Sequence, residues 1–295
     1  MRVAEWTIVA ALLLAASPAS AFCRTTTCQP WTCTPNEECA LCVDGGAPLY
    51  WKSRCVSFAV TYSGPQSGQL NAQDARALIA GAFVKWMSVD CRGDSPSLAV
   101  LDLGTVVCDQ TGYDRDAPNI NLWTFRDSSW AHQGRGRMLA LTTVTYDAPT
   151  GEILDADVEI NSFEHAMTMG DDEVVADLDS IVTHEAGHFL GLSHSCDPSA
   201  TMFPAYTMGT TQMRALAPDD ADAICSTFPP GIKKVCEPQP RGGLPECALD
   251  PSADDDMTEA GCSHSPSRRA PWSWTALVPL VALLRWLGRR RREAS

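Results

Sequence analysis

The chain has 295 residues, 45% of them hydrophobic and 20% charged, so it can bury a core and is not disordered as a whole. A net charge of −14 excludes proteins that hold nucleic acid through a basic surface, and thirteen cysteines are unusual for a reducing cytosol. We therefore expect an exported protein that does not bind nucleic acid.

The chain begins with the pattern of a secretory signal peptide. Arg2 precedes the apolar run 7–16, and residues 17–21 supply the small side chains that a signal peptidase recognises. The apolar run is too short to cross a bilayer. We expect a signal peptide over residues 1–21 and a mature chain that starts near Phe22. The alternative is a buried N-terminal helix.

The cysteines predict a disulfide framework. Six of them lie between residues 23 and 55, mostly in a Cys-rich segment over 22–54, and their connectivity is open because six cysteines can pair in many ways. A structural zinc with four cysteine ligands is the alternative there, although only Cys39 and Cys42 have C-x2-C spacing. For the six later cysteines other than Cys262, proximity along the chain predicts the pairs Cys91–Cys108, Cys196–Cys225 and Cys236–Cys247.

The middle of the chain, residues 55–230, predicts one α+β domain. Strands are predicted, from alternating apolar residues, at 55–62, 98–103, 120–125, 139–146 and 153–160. Helices are predicted over 72–89, after a cap at Asn71, over 174–190, and from Pro218 to residue 228.

Three histidines within eleven residues carry the strongest chemical signal. His184 and His188 are four residues apart and share one face of the predicted helix, where both can bind one metal ion. A positive φ at Gly191 would end the helix and return the chain, so that His194 becomes a third ligand. Three imidazoles leave a fourth position open, which is the arrangement of a catalytic zinc.

Glu185 completes this motif as the candidate catalytic residue. It follows the first histidine directly and can accept a proton from water beside Zn²⁺ held by His184, His188 and His194. The motif therefore predicts a zinc endopeptidase. One alternative is a helix whose histidines only pack. Another is a surface adhesion or binding module with a vestigial metal site, which the presence of Glu185 disfavours.

A second motif, Ala-Thr-Met-Phe-Pro at residues 200–204, follows the histidines. Together the two motifs resemble the metzincin clan and, within it, the matrixins, over about residues 50–230. The resemblance implies a five-stranded, mostly parallel twisted sheet with an antiparallel edge strand, two long helices, and a small C-terminal subdomain with a methionine turn and a final helix. It also implies that Met202 lies beneath the imidazoles and that Asp219 or Asp220 braces the methionine turn. N-capping is the alternative role for each aspartate.

The chain also departs from that family. No Pro-Arg-Cys-Gly switch precedes the domain, so latency through a thiol ligand is not expected. The structural zinc site of matrixins is expected to be absent or altered, because only His132 and His165 are available for it, and both are expected at the surface. Asp155 and Asp157 alternate on a predicted strand near Asp147 and suggest structural Ca²⁺. Solvated strand-edge carboxylates are the alternative.

Residues 138–142 are expected to form the edge strand along which a substrate lies antiparallel, as in the family. The resemblance implies protein or peptide substrates, and we expect the protein to be a monomer.

The end of the chain predicts a spacer and a membrane-associated tail. Residues 231–262 are rich in proline and acid and contain two of the paired cysteines. Residues 263–295 contain the apolar run 272–287 and an arginine cluster. With Cys262, this resembles the sorting tail of myxobacterial surface proteins (MYXO-CTERM type), which implies processing at that cysteine. A plain single-span anchor is the alternative. We expect an extracellular protein or one anchored at the cell surface through this tail.

Overall fold

The computed structural model describes residues 21–28, 33–37, 39–63, 71–132, 138–231 and 242–248. The chain divides into two compact units, Met1–Asp256 and Met257–Ser295, and every described residue belongs to the first. The predicted tail, Cys236 and nearly all of the predicted signal peptide lie outside the described residues. None of the helices in the described part of the chain is long and apolar enough to cross a membrane.

The described elements mix helices and strands, as an α+β domain requires. The helices are α1 (Ala72–Met87), α2 (Leu178–Phe189) and α3 (Pro218–Thr227). The strands are β1 (Thr34–Pro35), β2 (Val43–Asp44), β3 (Cys55–Thr61), β4 (Ala99–Val106), β5 (Leu122–Phe125), β6 (Ala140–Tyr146), β7 (Ile153–Ile160), β8 (Met167–Thr168) and β9 (Ala176–Asp177). Two short 3-10 turns cover Gln212–Arg214 and Glu246–Ala248.

Five strands form the central sheet in the order β4-β3-β5-β7-β6. Neighbouring strands run parallel except for β6, which pairs antiparallel with β7 at one edge. This confirms the predicted five-stranded, mostly parallel sheet with an antiparallel edge strand. Strand β5 is buried along its whole length because it lies in the middle of the sheet, which explains its apolar sequence.

An aromatic cluster joins the two long helices to the sheet. The ring of Phe83, on α1, has its centroid 5.0 Å from those of Phe58 and Phe189 and 5.7 Å from that of Trp123. Such pairs contribute roughly 0.5–1.5 kcal/mol each beyond the area that they bury. Because Phe189 lies at the end of α2, the cluster fixes the back of this helix against β3 and β5.

Helix α2 begins at Leu178, four residues later than predicted. Asp177 caps it by accepting a hydrogen bond from the Ser180 amide at 2.9 Å, and Ala176–Asp177 is strand β9. Arg214 donates to both oxygens of Asp177, at 2.6 and 2.8 Å. Burial acts to raise the pKa of Asp177, but the hydrogen bonds from Arg214 and Ser180 hold it below its ordinary value. The predicted starts at Asn71 and Pro218 are confirmed.

The disulfide framework differs from the one that proximity predicted. The bonds between described cysteines include Cys23–Cys42, Cys28–Cys33, Cys39–Cys196, Cys91–Cys225 and Cys108–Cys247, and Cys55 is also disulfide-bonded. The predicted pairs Cys91–Cys108, Cys196–Cys225 and Cys236–Cys247 are therefore wrong. Three of the observed bonds join cysteines 134 to 157 positions apart, because the fold places distant segments side by side.

The zinc alternative for the N-terminal cysteines is also wrong. The sulfurs of Cys23, Cys39 and Cys42 lie within 4.8 Å of one another, as metal ligands would. All three belong to disulfides, one of which reaches Cys196, so none is a thiolate that could bind zinc.

Part of the predicted spacer packs against the sheet. Besides its bond to Cys108, Cys247 accepts a hydrogen bond at its carbonyl from the Val107 amide at 3.3 Å. Residues 242–248 therefore lie beside β4, at the sheet edge opposite β6.

Candidate active site

A cleft of about 930 Å³ runs beside the edge strand β6. Residues 138–142 line one side of it, and residues 203–206, which follow the methionine turn, line another. His184, Glu185, His188 and His194 all border the same cleft, together with Thr25 and Leu49 from the N-terminal segment.

The structure brings the three predicted histidines together. His184 and His188 are one turn apart on α2, with ring centroids 4.8 Å apart. Gly191 has φ +91°, as predicted, and this left-handed conformation turns the chain back towards α2 after the helix ends. The ring of His194 then lies 4.8 Å from that of His188 and 5.4 Å from that of His184. A side chain at Gly191 would also approach the Leu49 carbonyl oxygen to 3.2 Å.

Backbone carbonyls orient the two helix histidines. The His184 Nδ1–H donates to the Thr201 carbonyl at 2.6 Å, and the His188 Nδ1–H donates to the Leu192 carbonyl at 2.9 Å. In each ring, Nε2 is left as the metal-binding atom.

The nitrogen geometry fits zinc. The Nε2 atoms of His188 and His194 are 3.2 Å apart, and ligand atoms of all three histidines lie within 4.8 Å of one another. Two nitrogens bound to one tetrahedral zinc at about 2.0–2.1 Å are separated by about 3.3–3.4 Å. The donor set therefore fits a zinc ion with three imidazole ligands.

Burial keeps these imidazoles neutral. It lowers the pKa of His184 and His194 to about 4, and it also lowers the pKa of His188. The charge of a neighbouring histidine lowers each pKa further. At neutral pH all three rings are therefore in the form that binds metal ions.

Glu185 lies on α2 between the two histidines, with 7% of its surface exposed. Burial raises the pKa of its carboxyl group. Its Oε2 accepts a hydrogen bond at 2.5 Å from the hydroxyl of Thr142, on β6. Sequence analysis missed Thr142, because the edge strand was expected to contribute only backbone groups and no motif marks the residue.

Met202 packs directly against helix α2, which carries His184 and His188, and its place beneath the imidazoles stays a prediction. Met202 is 1% exposed, and a Cβ atom added at Gly187 would lie only 2.3 Å from its sulfur. The methionine turn can therefore pack this closely against α2 only because residue 187 is glycine. Sequence analysis did not single out Gly187.

Asp220 braces the methionine turn and also contributes to the cap of α3 from inside the helix, since the N-cap residue itself is Ala217. The Asp220 carboxylate accepts hydrogen bonds from the amides of Thr201 at 2.7 Å and Met202 at 3.0 Å, which braces the methionine turn. It also accepts the Ala217 amide at 2.8 Å, which caps α3. Because Thr201 also provides the carbonyl that orients His184, Asp220 supports that histidine indirectly.

The third histidine lies in a segment that we call the ligand turn, residues 191–196. The N-terminal segment pairs with it: the Thr25 amide donates to the Gly191 carbonyl at 3.2 Å, and the Ser193 amide donates to the Cys23 carbonyl at 3.0 Å. The Thr25 hydroxyl donates to the Leu192 carbonyl at 3.1 Å. This carbonyl is the same one that orients His188. The N-terminal segment is therefore part of the site's support.

Two further contacts fasten the ligand turn. The Cys39–Cys196 disulfide attaches its end to the N-terminal segment. Asp219 accepts a hydrogen bond from the Ser195 hydroxyl at 2.6 Å and another from the Phe22 amide at 3.0 Å. Asp219 thus joins α3, the turn and the N-terminal segment, while its neighbour braces the methionine turn.

The candidate calcium residues are buried. Asp155 and Asp157 are each 2% exposed, so the alternative of solvated carboxylates is wrong. Asp157 accepts the amides of Leu122 at 2.8 Å and Gly112 at 2.6 Å. Burial and then the charge of Asp157 raise the pKa of Asp155 to about 8, so the pair retains a proton at neutral pH.

Asp147 accepts a hydrogen bond from the Thr150 hydroxyl in the following turn at 2.6 Å. Calcium binding here stays a prediction.

The other two histidines in the described part of the chain, His132 and His165, were predicted at the surface and are half-buried. His132 is hydrogen bonded through Nε2 to Glu159 at 2.9 Å, and Arg126 contacts the other oxygen of the same carboxylate. His165 borders the cleft, and its Nε2 is buried without a hydrogen-bond partner among the described residues.

The sequence profile of the family described as Matrixin matches residues 50–228. Matrix metalloproteinase-25 of Homo sapiens is 28% identical over 177 residues, or 59% of this chain and 29% of the relative. Metalloendoproteinase 1-MMP of Arabidopsis thaliana is 41% identical over 188 residues, or 62% of this chain and 45% of the relative. Neutrophil collagenase of Homo sapiens is 37% identical over 76 residues, or 26% of this chain and 16% of the relative. The chain spans less than half the length of each relative.

Proposed function

Because the chain belongs to the matrixin family, we propose that it is a zinc-dependent endopeptidase that hydrolyses peptide bonds in proteins. The observation that carries this proposal is the convergence of His184, His188, His194 and Glu185 on one cleft. The family membership supports the reaction class, since matrixins are zinc proteases.

The proposed roles follow from the chemistry of the side chains. His184, His188 and His194 would hold Zn²⁺, which when bound polarises a scissile carbonyl and lowers the pKa of a water. Glu185 would take the water proton as general base and return it to the leaving amine as general acid. A buried carboxyl with a raised pKa suits this exchange, because it holds a proton more readily than an exposed carboxyl does.

The position of the cleft supports an extended peptide as substrate. Strand β6 is at the sheet edge, and residues 139–142 line the cleft beside Glu185. A peptide added antiparallel to β6 would be held by main-chain hydrogen bonds, which make few demands on its sequence. We therefore propose that unfolded or extended protein segments are the substrates.

We also propose that the enzyme is exported and is held at the cell surface through residues 263–295. The disulfides of the described residues fit an exported protein. The apolar run at 7–16 supports a signal peptide, and the run at 272–287 with its arginine cluster supports the sorting tail.

The test compares the wild-type protein with Glu185→Gln on casein. The amide has nearly the size of the carboxylate but cannot accept the proton, so turnover should fall by about 10²–10⁴-fold while zinc content stays at one per chain. Chelation should abolish the wild-type activity, and added zinc should restore it. A zinc-loaded wild-type protein that cleaves no protein substrate would contradict the proposal and favour a binding module.

A further inference from the structure

The contact between Thr142 and Glu185 joins the sheet edge to the candidate general base. The Thr142 hydroxyl lies 2.5 Å from Glu185 Oε2 and 3.4 Å from the Glu185 carbonyl oxygen. Thr142 donates to this carboxylate through its hydroxyl and, with a smaller effect on the Glu185 pKa, through its backbone amide. Support for the carboxylate therefore comes from the same strand that would bind the substrate.

A buried glutamate needs such a contact to keep one orientation. The last torsion of a glutamate side chain is broad and roughly two-fold, so packing alone defines the plane of the carboxylate poorly. A donor that holds Oε2 fixes this plane and leaves Oε1 for proton transfer. The bond is also charge-assisted when Glu185 is ionised, which makes it stronger than a bond between neutral groups.

The alternation of the strand makes this contact specific to one position. Thr142 lies opposite Val158 on β7 and lines the cleft, whereas Thr143 is exposed, lies opposite Asp157 and does not line the cleft. Two adjacent threonines on β6 therefore have the same chemistry, but only one of them contacts Glu185.

We propose that Thr142 is a positioning residue that holds the Glu185 carboxylate in the orientation needed for proton transfer. The proposal rests on the proposed peptidase function and deepens it, because it assigns a role to the edge strand beyond backbone recognition of substrate. It depends on the hydroxyl of residue 142, which serine shares and valine lacks, whereas the backbone amide is the same in every variant.

The kinetic test uses Thr142→Val, Thr142→Ser and, as the matched control, Thr143→Val in the zinc-loaded protein. A hydrogen bond to a charged group contributes about 1.5–3 kcal/mol, so Thr142→Val should lower kcat about 10- to 100-fold, with KM and zinc content nearly unchanged. Thr142→Ser should restore most of kcat, and Thr143→Val should match the wild type. Wild-type kcat in Thr142→Val, or equal losses in the valine and serine variants, would overturn the proposal.

An infrared measurement separates this proposal from the proposed function. The carboxylate stretch of Glu185, identified by subtracting the spectrum of Glu185→Gln, should shift in Thr142→Val and keep its wild-type frequency in Thr142→Ser. An unshifted band in Thr142→Val would overturn the role of Thr142 even in an active enzyme. If the wild-type protein cleaves no peptide, the peptidase proposal fails, and the band still decides whether Thr142 holds Glu185.

Discussion

Helix α2 and the ligand turn hold their histidines in different ways. His184 and His188 belong to one helix, and helical geometry determines their spacing within five residues. His194 lies on a turn whose contacts come from far along the chain, since Thr25 is 167 positions before Leu192 and Cys39 is 157 positions before Cys196.

The candidate metal site therefore depends both on the local geometry of a helix and on tertiary contacts with distant segments. The back of α2 is packed in the aromatic cluster, so its two histidines should keep their places when distant contacts are lost. The turn depends on the N-terminal segment, the disulfide and Asp219, so the same losses should displace His194. Changes far from the zinc should thus act through the third ligand.

The most severe test removes the ligand that the turn carries. Zinc binding to four ligands releases about 10–16 kcal/mol, or about 2.5–4 kcal/mol per ligand, so His194→Ala should weaken zinc binding about 100- to 1000-fold. Helix α2 should keep its structure. Chelator competition measures the affinity, and His165→Ala, which changes a histidine of the same cleft, is the control. Stoichiometric zinc in His194→Ala after dialysis would mean that another residue is the third ligand.

A matched pair of disulfide deletions tests the distant support. Cys39–Cys196 and Cys108–Cys247 close loops of similar length, so the chain-entropy model gives each a contribution of about 5 kcal/mol to stability. Replacing both cysteines of the first bond with serine should weaken zinc binding about 10- to 100-fold, because the turn is released. The same replacement at Cys108 and Cys247, which join the end of β4 to residues 242–248, should change zinc affinity by less than about twofold.

The two variants should lose similar stability in urea unfolding, so only the zinc measurement separates them. Equal losses of zinc affinity would show that the site responds to global stability, and the distinction between helix and turn would then be wrong.

A milder change removes one hydrogen bond between the N-terminal segment and the ligand turn. Thr25→Val deletes the donor to the Leu192 carbonyl, which also orients His188, and should weaken zinc binding by about three- to tenfold. Thr27→Val is the control, because the Thr27 hydroxyl accepts a bond from Ala47 within the N-terminal segment. Equal zinc affinities for the two variants would argue against a role for Thr25.

Replacement of Asp155, which lies on strand β7 of the sheet, is expected to have the smallest effect on zinc affinity. The Asp155 pKa of about 8 exceeds the ordinary 3.8, so between these values the folded protein retains a proton that the unfolded chain has lost. Stability should therefore fall as pH rises through this window, by at most about 1.4 kcal/mol per pH unit.

Asp155→Asn mimics the protonated form and should flatten the dependence on pH in urea unfolding while zinc affinity stays unchanged. A variant with the wild-type slope would show that Asp155 is not the group that titrates.

The elements of the site that lie within one segment could be predicted from sequence. Spacing along α2 placed His184, Glu185 and His188 on neighbouring positions of one helix, and the glycine rule placed the turn before His194. The alternating strand patterns and the cap at Asn71 were confirmed for the same reason: each depends on residues a few positions apart.

The remaining features depend on contacts that no local pattern encodes. All three cysteine pairs predicted from proximity were wrong, because their partners are determined by which segments the folded sheet and helices bring together. The double role of Asp220 and the contact of Thr142 with Glu185 arise in the same way. Sequence alone determined the chemistry of the candidate zinc-binding groups, since helical periodicity and turn rules act over short distances. Only the tertiary structure decided how those groups are supported, because packing joins residues more than a hundred positions apart.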